Sequence, residues 1–293
     1  MLQLQHLTRR YGDTLAVDDV TFEVPPGRMV GFVGGNGAGK TTTMRMIMGV
    51  LAPTEGEVRW DGEPTTREVR SRFGYMPEER GLYPKQPVLG QLVYLGQLHG
   101  MSAQAARTRA TELLERFGLG ERTTDKVETL SLGNQQRAQI IAAVLGHPVA
   151  LILDEPFSGL DPAAVDQMSE LLREHTAQGV PVLFSSHQLE LVDRLCDGIV
   201  VLHEGRLVAN GTSEDLRAGA PLRYRLTATG DVGWVRGVPG VRVVDLDGPS
   251  VLLEPDDEAV AERLLVDAVA RGGVREFSRI RPTLSEIYRE VAA

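Results

Sequence analysis

Cysteine is nearly absent from this 293-residue chain: Cys196 stands alone, so no intrachain disulfide can staple the fold. Stability must come from a buried core, which a 42% hydrophobic composition at this length can supply. Long apolar runs are also missing. The longest candidate, residues 140–153, is broken by Gly146, His147 and Pro148, well short of the roughly 18–20 residues a bilayer-crossing helix needs. Residues 1–16 are polar and lack the apolar centre of a signal peptide, so a cytoplasmic location is expected. Positive charge is in deficit: 31 Lys and Arg face 40 Asp and Glu, a formal charge of -9. That is the wrong sign for a chain that neutralises phosphate backbones, and nucleic acid is not expected as a main partner. Internal repeats and low-complexity segments are absent as well.

What is present is ordered patterning. Residues 2–7 and 20–24 alternate in polarity, which suits half-buried antiparallel strands. Residues 29–33 form a short apolar run stopped by glycines, and residues 39–50 read as a helix ending near Gly49. Asp61 and Gly62 supply the positive φ angles of a type I′ turn, so residues 58–60 should open a hairpin extending the first sheet. From about residue 84 to 147 helical periodicity takes over, predicting an inserted helical subdomain. Within it Ser102 is a candidate N-cap, Ala106, Ala110, Leu113, Leu114 and Phe117 share a face, and a second helix spans 134–145.

Residues 149–153 and 182–184 are continuously apolar, with helical spacing of Val165, Met168, Leu171, Leu172 and His175 between them. Such runs belong to parallel strands covered on both faces and joined by a right-handed crossover. A hairpin through Glu204 and Gly205 closes this first unit, residues 1–217. The pattern restarts beyond Pro221: strands near 222–229, 241–246, 250–253 and 274–277, a helix over 257–270, and a short helix opened by a Thr283 to Glu286 capping box. Residues 221–293 are therefore expected to form a small α/β domain.

Gly34, Gly35, Asn36, Gly37, Ala38, Gly39, Lys40 and Thr41 satisfy the phosphate-loop pattern G-x-x-x-x-G-K-[ST], after an expected strand and opening an expected helix. Glycines let backbone N–H groups face phosphates, and the helix start adds a favourable field. Lys40 should reach the β and γ phosphates of ATP, the Thr41 hydroxyl should bind Mg²⁺, and Thr42 can reach the α phosphate. Such a loop needs a second Mg²⁺ anchor at the end of a buried strand, and Asp154 sits there. An Asp in that place also serves as a plain strand terminus or helix cap; the phosphate loop upstream favours the metal role. Glu155 beside it would accept a proton from the attacking water or orient it.

With these residues, three further segments carry a resemblance. They are residues 130–137 (Leu-Ser-Leu-Gly-Asn-Gln-Gln-Arg), residues 158–161 (Ser-Gly-Leu-Asp) and residues 185–187 (Ser-Ser-His). In this order and spacing the chain resembles the nucleotide-binding subunit of an ABC transporter over roughly residues 1–217. The resemblance implies an α/β fold: a phosphate-loop, RecA-like core with an N-terminal antiparallel β subdomain, the inserted helical subdomain and the small C-terminal domain. It implies a head-to-tail dimer, either a homodimer or one with a paralogous ATPase, in which two ATP molecules lie between subunits. Ser131 and Gly133 would then contact the γ phosphate bound by the partner, Asp161 would link the two sites, and His187 would sense the γ phosphate and hold Glu155. Tyr11 takes the place of the aromatic that stacks on adenine, near Val17, although a tyrosine at a strand end is often plain packing. Separate integral membrane permease subunits, and a peripheral position on the inner face of the cell membrane, follow from the same resemblance.

The departures narrow it. Gly35 replaces a Pro or charged residue at a position that offers mainly backbone, and Leu132 and Asn134 replace the first Gly and the Gln of the common signature. Glu78 stands where the family usually has Gln, in the loop between core and helical subdomain. There it either faces the metal or turns away toward Arg80 or another cation and shapes the loop to the membrane subunit. The Glu78 segment, with residues 130–136 and the close of the chain at 281–288, is similar to exporter ATPases of the sodium-extrusion and daunorubicin-resistance type. A soluble ABC ATPase acting on ribosomes or DNA would call for two fused ATP domains or a long coiled-coil insertion, typically with basic patches; a silent regulatory subunit is at odds with Glu155 and His187, and an importer would more typically keep the Gln. For the C-terminal domain a dimer-stabilising or regulatory role is at least as well supported as a substrate-sensing one.

Overall fold

The structure, a computed structural model, describes residues 1–79, 81–218, 221–281 and 283–291. Its contacts divide the chain into two compact units, Met1–Ser213 and Glu214–Val291.

In the first unit β1 (Leu2–Tyr11) and β2 (Thr14–Val24) pair antiparallel, and their alternate residues Leu2, Leu4, Val20, Phe22 and Val24 are buried. β3 (Met29–Val33) leaves this sheet with all five residues buried and runs through the glycine loop into α1 (Lys40–Ile47), which ends two residues before Gly49. β4 (Glu55–Trp60) returns to pair with β1, and Asp61 and Gly62, at φ 51° and 86°, turn it into β5 (Glu63–Pro64) as the sequence led us to expect. The one-turn helix α2 (Arg67–Arg70) precedes β6 (Phe73–Met76). β6 is not announced by the sequence: four residues are too few to display a period.

The helical insertion holds α3 (Val88–Leu98), α4 (Ala103–Arg116) and α5 (Leu132–Val144). Ser102 caps α4, accepting a hydrogen bond from the Ala105 N–H at 3.2 Å. α5 starts two residues earlier than its pattern suggested, because Ser131 is its cap and accepts from the Asn134 N–H at 3.3 Å. The chain continues through β7 (Ala150–Leu153), α6 (Pro162–Ala177), β8 (Val182–Ser186), α7 (Leu189–Leu195), β9 (Gly198–His203) and β10 (Arg206–Gly211). The central sheet has order β10-β9-β3-β8-β7-β6, parallel except for β10. Every residue of β3, β7 and β8 is buried, the signature of strands covered on both faces. The carboxyl ends of β3, β7 and β8 therefore emerge side by side.

The chain passes through α8 (Ser213–Ala218), where the division falls, into β11 (Arg223–Ala228), β12 (Val241–Asp247), β13 (Ser250–Pro255), α9 (Glu258–Arg271), β14 (Val274–Ile280) and α10 (Leu284–Val291). The second unit's sheet is antiparallel with order β12-β13-β11-β14, and Leu264 and Ala268 of α9 pack on Leu226, Val251 and Leu253. Asp257 caps α9, and Thr283 and Glu286 form a reciprocal capping box. The edge strand β12 is bulged between Val243 and Asp245. Among the described residues no helix is long and apolar enough to cross a membrane.

Candidate functional site

Three strand ends build one cleft. After β3 the backbone turns so tightly that a Cβ on Gly34 would lie 2.5 Å from the Leu202 carbonyl oxygen. Gly39, at φ +102°, opens α1 with no side-chain cap. The first-turn N–H groups of α1, which no intrahelical carbonyl can satisfy, thus form an anion-favouring end. Lys40 is buried, and its Nζ donates to the Gly34 and Gly35 carbonyl oxygens at 2.7 and 3.2 Å, which lays the ammonium across the loop.

A cavity of about 240 Å³ opens here, lined by Ala16, Gly35, Asn36, Gly37, Ala38, Gly39, Lys40, Thr41, Thr42, Glu78, Asp154 and Glu155. Asp154 ends the β7 segment and is 1% exposed; its Oδ1 accepts from Ser185 Oγ at 2.6 Å, while Oδ2 is buried with no partner. The same Ser185 oxygen accepts from the Glu155 N–H at 2.8 Å. Glu155 adopts φ +51°, a costly left-handed conformation for a residue with a Cβ. Its Oε2 lies 2.9 Å from His187 Nδ1. Burial pushes the Glu155 carboxyl above the ordinary carboxylate range; His187 and Lys40 oppose that rise and Asp154 reinforces it. A carboxylate tuned upward in this way is better matched to taking a proton near neutral pH.

Glu78 faces the cleft: Thr41 Oγ1 donates to its Oε2 at 3.3 Å. Arg80, the other partner weighed for it, lies outside the described residues. The Thr41 hydroxyl, the unpartnered Asp154 oxygen and the Glu78 carboxylate are hard oxygen donors of the kind that suits a small divalent cation. Among the described residues no three His, Cys, Asp or Glu side chains form a self-sufficient metal cage.

The remaining expected residues lie off this cavity. Tyr11, 48% exposed at the end of β1, has the Arg9 guanidinium 4.6 Å from its ring centre. Val17 is fully buried against the core, and its neighbour Ala16 supplies the cavity wall. Ser131 and Gly133 open α5, with Leu132 between them 66% exposed. Asp161 caps α6 through the Ala164 N–H at 2.9 Å and approaches Arg137 at 3.3 Å.

A model of the ABC transporter family matches residues 17–158, and one described as ATP-binding protein DrrA1-3-like, C-terminal domain, matches residues 211–292. The ABC transporter ATP-binding protein YhaQ of Bacillus subtilis is 39% identical over 99% of this chain and 98% of its own length. The chain belongs to the ABC transporter ATP-binding proteins. This ABC ATPase is also 35% identical to the linearmycin resistance ATP-binding protein LnrL of Bacillus subtilis, over 78% of this chain and 76% of that one. The Nod factor export ATP-binding protein I of Burkholderia orbicola is 39% identical over 73% and 72%. Among solved structures, an ATP-binding subunit of an ABC transporter covers 75% of the chain and 95% of its own at 35% identity and TM-score 0.70. The dimeric structure of MJ0796, a bacterial ABC transporter cassette, covers 72% and 98% at 25% identity and TM-score 0.66.

Two residues of the ABC ATPase site escaped the sequence reading. Ser185 lies in the Ser-Ser-His segment; the signal for it is a polar residue inside an apolar strand, fully buried near the strand's end. Gln136, whose Nε2 donates to the Glu155 and Pro156 carbonyl oxygens at 2.9 and 3.0 Å, gives no signal beyond its place in the signature helix.

Proposed function

We propose that this ABC ATPase powers an exporter: two such chains, identical or paralogous, close head to tail over two ATP molecules and drive separate membrane permease subunits from the inner face of the cell membrane. The observation that carries the reading is the meeting of Lys40, Asp154 and the Glu155–His187 pair around one cavity of about 240 Å³ at the glycine loop. Residues 1–217 serve as the nucleotide-binding domain and 221–293 as an accessory domain. The names of relatives concerned with resistance and export, and the DrrA1-3-like C-terminal match, support the export direction.

The residues divide the chemistry. The loop 34–39 and the start of α1 bind the phosphates through backbone N–H groups, and Lys40 exchanges loop carbonyls for β and γ phosphate oxygens. Thr42 reaches the α phosphate, while Tyr11 and Val17 are assigned to the adenine end. Thr41, Asp154 and Glu78 would hold Mg²⁺, which supplies charge neutralisation on the β and γ phosphates when bound. Glu155 takes the proton of the attacking water, and His187 fixes the carboxylate at 2.9 Å and senses the γ phosphate. Ser131 and Gly133, at the start of α5, complete the partner's site, and Asp161 links the two.

For the membrane subunit, the supporting feature is an apolar groove of about 350 Å³ that includes Pro77, Leu82, Leu95 and His99, where the Glu78 loop meets the helical insertion. Tyr83, Tyr94 and Leu98 are exposed on the same stretch of chain. Exposed apolar side chains on the stretch of chain that lines an apolar groove suit a protein interface.

The test separates binding from chemistry. Lys40→Ala should abolish tight ATP binding, and Glu155→Gln should preserve binding, stop turnover and accumulate a dimer with MgATP on size exclusion. Turnover of Glu155→Gln at the parent rate would refute the assignment of the base. Copurification of the tagged chain from membranes should bring down its permease, and recovery with ribosomes alone would overturn the transport reading.

A further inference from the structure

Glu155 is held from two sides. On the sheet side Ser185 Oγ accepts its N–H at 2.8 Å; on the helix side Gln136 Nε2 donates to its carbonyl oxygen at 2.9 Å and to that of Pro156 at 3.0 Å. One amide nitrogen with two N–H groups meets two successive carbonyl oxygens, an arrangement that no methionine or carboxylate of similar length reproduces. The backbone so gripped is the left-handed turn at Glu155, φ +51°, a conformation that persists only where surroundings impose it.

Gln136 does not act on an isolated loop. Three residues earlier on the same face of α5, Gly133 lies so close to the loop that a Cβ on it would be 3.3 Å from the Gly159 carbonyl oxygen. One residue later, Arg137 reaches Asp161 Oδ2 at 3.3 Å. Helix α5 and residues 155–161 thus meet at three points along the loop. The first turn of α5 carries Ser131 and Gly133.

We propose that Gln136 is a positioning residue for hydrolysis: it locks the backbone of the general base to the signature helix of the same chain. When that helix start docks on the nucleotide of the opposite subunit, the Glu155 carboxylate is brought to its working position. The inference rests on the head-to-tail reading above. Gln136 is not among the residues lining the phosphate cavity and acts only through Glu155.

Gln136→Met, in the full chain, keeps length and helix propensity and removes both donors. The expected result is a fall in kcat for ATP of about tenfold or more, with KM and equilibrium ATP affinity within about twofold of the parent. Gln136→Glu should behave alike, because an ionised carboxylate offers those carbonyls no donor. In a Glu155→Gln background, Gln136→Met should leave the MgATP-driven dimer intact on size exclusion. A kcat within about twofold of the parent overturns the proposal. So does a loss of ATP affinity or of the trapped dimer in step with kcat, which would make Gln136 a prop for α5. Failure of Glu155→Gln itself to dimerise with MgATP would instead refute the head-to-tail reading, and the kcat-against-KM split would still judge Gln136.

Discussion

Ser185→Ala offers a quantitative test of how the site is held. The Ser185 side chain is fully buried; its hydroxyl donates to Asp154 Oδ1 at 2.6 Å and accepts the Glu155 N–H at 2.8 Å. Asp154 Oδ2 already lacks a partner, so alanine would leave both carboxylate oxygens and a backbone N–H unsatisfied at once. A hydrogen bond to a charged group is worth about 1.5–3 kcal/mol and a neutral one about 1 kcal/mol, giving about 3 kcal/mol in all. For a unit of this size that lowers Tm by roughly 6–12 °C. Ser186→Ala is the matched control: Ser186 is equally buried but its Oγ accepts only the Gln188 N–H, at 3.0 Å, so roughly 2–4 °C is expected. Scanning calorimetry of parent and both variants without nucleotide decides it. A Ser185→Ala protein that melts no lower than Ser186→Ala would refute the account of Ser185 as the tie between Asp154 and Glu155.

Glu155→Gln should also alter pH dependence. A carboxyl whose pKa is raised by folding binds its proton more tightly in the native state, so its contribution to stability is present below the unfolded pKa and is lost as pH rises through the folded one. The variant should therefore melt higher than the parent at neutral pH and match it under acid conditions where both carry a neutral group; equal melting at every pH would contradict the raised pKa. Glu78→Gln should tighten metal-free ATP binding by up to about fivefold and so weaken the dependence on Mg²⁺; the side chain is exposed, and screening keeps the repulsion near ~1 kcal/mol. Titrations with and without Mg²⁺ check it, and identical Mg²⁺ dependence would remove Glu78 from the metal. Deleting residues 221–293 should leave a folded chain that still binds ATP, measured by equilibrium titration, since no residue lining the phosphate cavity lies there.

The parts of this molecule that could be read from sequence are those whose physics is local. Gly34 to Thr41 encode a turn and a helix start, the apolar runs at β3, β7 and β8 encode doubly covered strands, and Thr283 with Glu286 encodes its own cap. What stayed hidden depends on contacts between distant residues. β6 is too short to show a period and is defined by its pairing with β7. The left-handed turn at Glu155 bears no glycine to announce it and is imposed by Ser185 and Gln136, 30 residues ahead and 19 behind. Val17 shows the reverse: its position near the loop was legible, but only the fold puts its side chain inward and Ala16 at the wall.

The bulge in β12 has a consequence for what the accessory unit can recognise. An edge strand invites another strand to add to it through free backbone groups, the route to β-augmentation and to edge-to-edge aggregation. The register break between Val243 and Asp245, flanked by Arg242 and Asp247, spoils that template on one side of the sheet. At the other edge, β14 carries Arg275, Glu276 and Arg279, charges that an incoming strand would have to accommodate. Both edges thus carry features that disfavour polymerisation through a generic backbone ladder, which shifts recognition by this unit toward side chains and helix faces.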